Sequence, residues 1–196
     1  MKLIKRILAS SFCFLFLNCQ FINLKNDKQN VKILLEKITE NQKISCYTQF
    51  DTLYNSKGEL IYLKIYTECL IDSLPNEFYQ LVNLQKFDFE RIGLIKIKSL
   101  KSFSRLIEIN LSNNRLKDTF DFAKILPPSL ERISLMRNEI KIFLNSNSLT
   151  NIKKVNICNN LNKKDVIFKN LEKDSCIGCY KNYMPNFLQQ KRVLCN

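Results

Sequence analysis

The stretch Leu106–Leu116, LIEINLSNNRL, carries apolar residues at its first, fourth, sixth and eleventh places and an asparagine at the ninth. An amphipathic helix repeats its apolar residues every three or four positions, and a half-buried strand repeats them every second position. This stretch fits neither pattern over its whole length, because the alternation of Ile109 and Leu111 is followed by a polar pair. We therefore expect one short strand followed by a turn, and a repeat of this unit elsewhere.

The same spacing occurs four more times along the chain. The additional copies begin at Leu60 (LIYLKIYTECL), Leu84 (LQKFDFERIGL), Leu130 (LERISLMRNEI) and Ile152 (IKKVNICNNLN). The five starts at positions 60, 84, 106, 130 and 152 are separated by 24, 22, 24 and 22 residues. A period of this length with the pattern L-x-x-L-x-L-x-x-N-x-L is a leucine-rich repeat signature. Five copies in register predict a solenoid.

Two longer phrases strengthen the resemblance to a known family. LPNEFYQLVNLQKFDF, from Leu74, looks like the plant-type and bacterial repeat, and LPPSLERISL, from Leu126, is similar to the version with two prolines before the strand. Over roughly residues 60–162 the chain resembles the extracellular leucine-rich repeat family. The resemblance implies an α/β solenoid, a curved right-handed superhelix of about five repeats of 22–24 residues, with parallel strands on its concave face and disulfide-stapled caps. It also implies a protein that binds another macromolecule.

Composition excludes several kinds of chemistry. The chain of 196 residues contains no histidine and three glycines, which argues against a serine-type triad, most zinc sites and a phosphate-cradling loop. We expect a non-catalytic protein with no cofactor and no metal.

The N-terminus has the layout of a secretory signal peptide over residues 1–19. Three basic residues precede an apolar run over 7–17, which is shorter than the roughly 20 residues that a membrane span needs. Loss of this leader removes three positive charges, so the net charge of +13 becomes +10. An uncleaved anchor, and a loose lipobox with an acylated Cys19, are alternatives. They are the only membrane association that we expect.

The cysteines beyond the leader number six and lie near the two ends of the repeat region. They are Cys46, Cys69, Cys158, Cys176, Cys179 and Cys195. Small caps of exported solenoids need staples because they bury little core of their own. We expect Cys46–Cys69 in the first cap and two bridges among the last four, with all three pairings open. A four-thiolate zinc site is the alternative, but only one C-x-x-C is present.

The pattern divides the chain into four parts. A signal peptide over 1–19 is followed by an N-terminal cap over 20–59 with a helix over 28–40, the five repeats over 60–162, and a cysteine-rich cap over 163–196.

Within each repeat, places four and six point into the core. The ninth-place asparagines Asn114, Asn138 and Asn160 are expected in buried turns, where their amides satisfy backbone groups. Glu68 and Ile92 take this place in the first two repeats, so those turns must differ. The segment IFLNSNS, 142–148, is expected to be irregular.

The residues between the core positions are expected on the concave face, where a ligand would bind. The candidates are Tyr62, Lys64, Tyr66, Lys86, Asp88, Glu90, Arg91, Glu108, Asn110, Arg132, Met136, Arg137 and Lys154. Thr67, Ser112, Asn113, Ser134, Asn156, Cys158 and Asn159 share the same places. Tyrosine and arginine among them are residue types enriched at binding hot spots. Asn110 also begins the sequence NLS, a short match to an N-glycosylation site.

These features predict a secreted or cell-surface module that recognises another protein or a surface glycan. Nucleic acid is disfavoured because the basic residues are dispersed and the leader indicates export. A structural or lipid-anchored surface protein without a dedicated ligand is one alternative. A carboxylate-based glycan hydrolase using Asp88 and Glu90 is another, although such a pair is usually a solvated strand face.

Overall fold

The computed structural model describes residues 27–40, 47–145, 149–161 and 171. A helix, α1, spans 27–40. The strands are β1 (Thr48–Tyr54), β2 (Leu60–Thr67), β3 (Lys86–Asp88), β4 (Glu108–Asn110), β5 (Lys117–Asp121), β6 (Arg132–Ser134), β7 (Glu139–Leu144) and β8 (Lys154–Asn156). A 3₁₀ helix covers Asn76–Gln80, and a short helix, α2, covers Phe122–Ile125.

One sheet of six strands runs through the described chain in the order β1-β2-β3-β4-β6-β8. From β2 onward the strands are parallel, and their fourth-place residues pair across the sheet. These residues are Leu63, Phe87, Ile109, Ile133 and Val155. The five copies of the sequence pattern therefore stack in register, and the predicted parallel-strand solenoid is confirmed, with about four turns joining the five strands.

The solenoid has few helices, which corrects the expectation of an α/β solenoid. The segments that return from one strand to the next contain a five-residue 3₁₀ helix and the four-residue α2, which ends before Pro127 and Pro128. A residue before proline is disfavoured in the helical conformation, so α2 cannot extend. The return segments are held instead by a second, two-stranded parallel sheet of β5 and β7.

The expectation of an irregular segment over 142–148 is wrong for its first three residues. Ile142, Phe143 and Leu144 belong to β7, and Phe143 packs against Phe120 and Phe122 with ring centroids 6.4 and 5.7 Å apart. This aromatic cluster provides the apolar surface that the second sheet buries.

The core lies on one side of the main sheet. Inward residues at the fourth and sixth places are at most 5% exposed in all five repeats, and four phenylalanines fill the space beneath the second and third repeats. Phe78 contacts the rings of Phe87, Phe89 and Phe103 at centroid distances of 5.1–5.3 Å. Burial of each such ring contributes about 1.5–3 kcal/mol, so these residues anchor adjacent coils to each other.

Two elements cover the N-terminal end of the described stack. Helix α1 inserts Val31, Leu34 and Ile38 into the core, and the Asp27 carboxylate accepts the backbone N–H of Leu60 at 2.9 Å. Strand β1, which the sequence pattern did not predict, pairs antiparallel with β2 along its whole length. The leader and nearly all of the predicted cap over 163–196 lie outside the described residues.

The buried asparagines connect consecutive coils through the backbone. Asn138 shows the arrangement: its amide nitrogen donates to the carbonyls of Leu111 and Leu135, both at 2.9 Å, and its Oδ1 accepts the N–H of Leu116 at 3.0 Å. Asn114 and Asn160 make the corresponding contacts one coil earlier and one coil later. All three side chains bridge backbone groups that burial removes from water.

The turn after β3 differs, as Ile92 in place of asparagine implies. Ile92 is fully buried and its carbonyl accepts the N–H of Ile71 at 2.8 Å. Gly93 follows with φ +78°, and a Cβ there would lie 2.6 Å from Leu70 Cδ2 and 3.0 Å from Leu70 Cα. Close backbone contact therefore replaces the side-chain bridge in this turn, and only glycine leaves room for it.

Replacement of Asn138 by alanine tests the asparagine bridge. We expect the free energy of unfolding to fall by about 2–4 kcal/mol, because at least two buried backbone groups lose a partner at roughly 1–3 kcal/mol each. Urea unfolding followed by circular dichroism measures the loss. Gln85→Ala, at an exposed position, is the control and should change the value by less than about 0.5 kcal/mol. A similar small change for Asn138→Ala would contradict the bridging role.

Candidate functional site

The main sheet has a second face, opposite the core, which we name the polar face. It is formed by the third- and fifth-place residues of the five parallel strands, all of them partly exposed. These residues are Tyr62, Lys64, Lys86, Asp88, Glu108, Asn110, Arg132, Ser134, Lys154 and Asn156. Because the strands align residue for residue, the candidates spread over almost a hundred positions lie together on one surface.

The seventh and eighth places continue this surface only in part. Tyr66, Arg91 and Arg137 are exposed, and Glu90 and Met136 are partly exposed. Thr67, Ser112 and Cys158, expected on the same face, are instead buried to 3%, 3% and 2% exposure. The chain turns toward the core at this edge, and two of these side chains form hydrogen bonds with other hydroxyl groups. Thr67 Oγ1 lies 2.9 Å from Thr48 Oγ1, and Ser112 Oγ lies 2.6 Å from Ser134 Oγ.

Opposite charges alternate across the polar face. Lys86 Nζ lies 2.6 Å from Glu108 Oε1, and Arg132 Nε donates to Glu108 Oε2 at 2.8 Å. Lys64 Nζ lies 4.0 Å from Asp88 Oδ2. These pairs join residues on neighbouring strands and neutralise most of the charge at the centre of the face.

The two carboxyl groups at the centre of the face have pKa values shifted in opposite directions. Partial burial opposes ionisation of Glu108, but the hydrogen bonds and positive charges of Lys86 and Arg132 outweigh it and lower the pKa of the carboxyl. Burial raises the pKa of Asp88, although Lys64 opposes this shift, and the negative charge of Glu90 adds to it. Ionised Glu108 therefore stabilises the fold, whereas ionised Asp88 does not.

Asn110 lies between these acidic groups. Its amide nitrogen donates to Asp88 Oδ1 at 2.9 Å and to Glu90 Oε2 at 3.2 Å, and its Oδ1 accepts the N–H of Ser112 at 3.1 Å. A second amide, that of Asn113, donates to Glu90 Oε1 at 2.6 Å. The nitrogen that would carry a glycan is thus hydrogen-bonded to Asp88 and Glu90. Neither of these two carboxylates lines either of two surface cavities found in the described chain.

An aromatic group lies at the β1 end of the polar face. Tyr66 packs edge-on against Tyr47, with ring centroids 6.5 Å apart, and these side chains are 43% and 59% exposed. Lys86 Nζ lies 5.7 Å from the ring centre of Tyr62. Tyr47 was not among the predicted site residues, because it joins the face only through the antiparallel pairing of β1 that the sequence pattern did not reveal.

The other end of the face is less charged. Asn156 donates its amide to the sulfur of Met136 at 3.6 Å, and Lys154 lies half-buried beside Arg132 in the sheet register. Among the described residues, no three acidic or cysteine side chains come together as metal ligands.

No known protein family matches the chain, and a search of curated proteins found no relative with significant similarity. Within the described part of the chain, no helix has the length and apolar character needed to cross a membrane.

The charge alternation predicts a pH-dependent effect of Glu108→Gln. At neutral pH we expect a loss of about 0.5–1 kcal/mol in the free energy of unfolding, after allowance for solvent screening, because Lys86 and Arg132 lose their anionic partner. Because the folded pKa is lowered, this contribution is complete above the unfolded pKa of glutamate and disappears as the pH falls through the folded pKa.

Urea unfolding of wild type and Glu108→Gln over a pH series measures this difference. Glu68→Gln, at an exposed position, is the control and should show no such trend. A difference that is independent of pH would mean that the loss comes from packing and not from charge.

Proposed function

We propose that this protein is a secreted or surface-exposed leucine-rich repeat module that recognises another protein through its polar face and performs no catalysis. The observation that carries the proposal is the alignment of tyrosine, arginine and lysine side chains from four of the five parallel strands on one accessible surface. Such residue types supply large contact area and charge-assisted hydrogen bonds at protein interfaces.

The assignment to the leucine-rich repeat family is part of the proposal. Its support is the coincidence of the sequence period of 22–24 residues with one coil, and the burial of the ninth-place asparagines against backbone groups of two coils. A stack built in this way leaves the opposite side of its strands available for a ligand.

The proposal of export draws on the leader and the cysteines. Cys69 and Cys158 lie at opposite ends of the repeat region and are 8% and 2% exposed, and the proposal assigns each of them to a disulfide. Disulfides persist in oxidising compartments, so these two cysteines support a chain that has left the cytosol. The pairing Cys46–Cys69 and the two bridges within the last cap stay predictions, because the other cysteines lie outside the described residues.

Intact mass spectrometry of the protein recovered from its host tests export. We expect a chain shortened by about the 19 residues of the leader, and an increase of six alkylated thiols after reduction. A full-length chain whose thiols are all alkylated without reduction would contradict export. An added mass on Cys19 would favour the lipid-anchored alternative.

Obstruction of the polar face tests recognition without removing any proposed contact. Ser134 lies between Asn110 and Asn156 in the sheet, so Ser134→Tyr places a large ring on the surface and removes only one hydroxyl contact. Ser104→Tyr, at an exposed position in a loop, is the matched control. We expect proteins from the host's extracellular fraction to be retained by wild type and Ser104→Tyr, and at least tenfold less by Ser134→Tyr, as measured by quantitative mass spectrometry.

Equal retention of the same proteins by all three variants would contradict recognition through the polar face. Retention that is lost after enzymatic removal of glycans from the extracellular fraction would show that the partner is a surface glycan and not a polypeptide.

A further inference from the structure

The eighth place of the last four repeats has an unusual backbone conformation. Arg91, Asn113, Arg137 and Asn159 all have positive φ, between 52° and 59°. Asparagine visits this left-handed region more readily than other residues with a side chain, whereas arginine has no such tolerance. Two of the four positions are therefore occupied by a residue that does not suit them.

The stack imposes this conformation on whatever residue is present. The N–H of Arg91 donates to the carbonyl of Ser112 at 3.1 Å, that of Asn113 to Met136 at 2.8 Å, and that of Arg137 to Cys158 at 2.9 Å. The same bond thus links three successive pairs of coils, and it requires the chain to turn at this place. Arginine here costs on the order of 1 kcal/mol relative to a residue that tolerates positive φ.

The two arginines also differ from the other cations of the face in their partners. Lys64, Lys86 and Arg132 each lie within 4.0 Å of a carboxylate on a neighbouring strand. Within the described part of the chain, neither Arg91 nor Arg137 has an ion pair or a side-chain hydrogen bond, and both are exposed. The stack explains the strain, but it does not explain why arginine is the residue at this place. An anion supplied from outside accounts both for arginine here and for its lack of a partner.

The spacing of the two arginines restricts the form of that anion. Arg91 follows β3 and Arg137 follows β6, with β4 between them. Strands lie about 4.8 Å apart, so the two residues are roughly 10 Å apart across the sheet. In a polyproline II segment, residues i and i+3 point to the same side about 9.3 Å apart. In a β-strand, residues on the same side are about 6.6 or 13 Å apart, which fits less well.

We propose that Arg91 and Arg137 bind two carboxylates at positions i and i+3 of an acidic polyproline II segment in the protein partner. Each guanidinium can hold a carboxylate through two parallel hydrogen bonds. One strand beyond Arg91, the exposed Tyr47–Tyr66 pair offers the aromatic surface on which proline-rich segments dock. This assignment rests on the proposed function of the polar face and names the chemistry of its partner.

The test measures the binding of rhodamine-labelled synthetic peptides to the full protein at physiological salt, by the fluorescence anisotropy of the label. The probe is (Glu-Pro-Pro)₄, in which every glutamate is three residues from the next and precedes a proline, which favours the extended conformation. One control peptide has the same composition with its four glutamates consecutive, and another is (Gln-Pro-Pro)₄. We expect the spaced acidic peptide to bind at least fivefold more tightly than either control.

The protein variant is Arg91→Asn/Arg137→Asn, because asparagine already occupies the same place in two other repeats. We expect at least tenfold weaker binding of (Glu-Pro-Pro)₄, with an unfolding midpoint equal to or above that of wild type. Lys57→Asn/Lys101→Asn removes the same charge from exposed turn positions away from the face and should leave the affinity within twofold of wild type.

Four outcomes would overturn the assignment. The first two are an unchanged affinity of the arginine variant for (Glu-Pro-Pro)₄ and an equal loss of affinity in the lysine control. The third is equal binding of the spaced and clustered acidic peptides by the wild-type protein. The fourth is arginine-dependent binding of a heparin fragment that is tighter than that of (Glu-Pro-Pro)₄, which would make the occupant a glycan. Retention of the natural partner distinguishes failure of this inference from failure of the proposed function. If Ser134→Tyr loses it and the arginine variant keeps it, only this inference fails; if both keep it, the proposed function fails as well.

Discussion

The fold depends on one constraint: every coil must satisfy the backbone groups that it buries against the next coil. Strands of three residues, such as β3, β4, β6 and β8, provide few ladder hydrogen bonds of their own. The amides of Asn114, Asn138 and Asn160 supply the remaining partners, each reaching the carbonyl at the sixth place of two consecutive coils. Unpaired groups in this position would each cost about 1–3 kcal/mol, which is a large fraction of the stability of a small domain. Asparagine is therefore required by the stack itself, and this is why it recurs with the repeat period.

The same constraint explains which parts of the structure the sequence predicts. The register of the five parallel strands follows from local spacing, because the apolar fourth and sixth places can face only one side of a strand. Strand β1 could not be predicted in this way, because its side chains are mostly exposed and its sequence shows no alternation of apolar residues. The pairing of β5 with β7 escapes it too, because Phe120 and Phe143 lie in the outer halves of the repeats, which share no common spacing of apolar residues. Burial of Thr67 and Ser112 depends on where the strand ends, which the period alone does not specify.

The polar face shows how a basic chain can still carry a nearly neutral surface. Lys86 and Arg132 flank Glu108, and the amides of Asn110 and Asn113 hold Glu90, so the central charges satisfy one another across strands. A ligand at the centre would have to compete with these contacts. At the edge where the strands end, the exposed Tyr66, Arg91 and Arg137 make no ion pair or side-chain hydrogen bond within the described chain. Under the proposed function, we therefore expect a ligand to bind at this edge and not at the middle of the sheet.

A signal for this edge was present in the sequence. Consecutive asparagines, Asn113–Asn114 and Asn159–Asn160, occupy the eighth and ninth places of two repeats, and the first of each pair has the left-handed backbone that asparagine tolerates. Once this place is recognised as a conformational requirement, arginine at the equivalent positions 91 and 137 becomes an exception to it. A buried exception would point to a packing role, but these side chains are exposed and contribute nothing to the core. The strain is maintained by bonds between coils, which fix the backbone from which the two arginine side chains extend. A fixed backbone at both positions lowers the entropy that binding would have to overcome, so under the proposed function the stack that stabilises the fold would also prepare its surface for a partner.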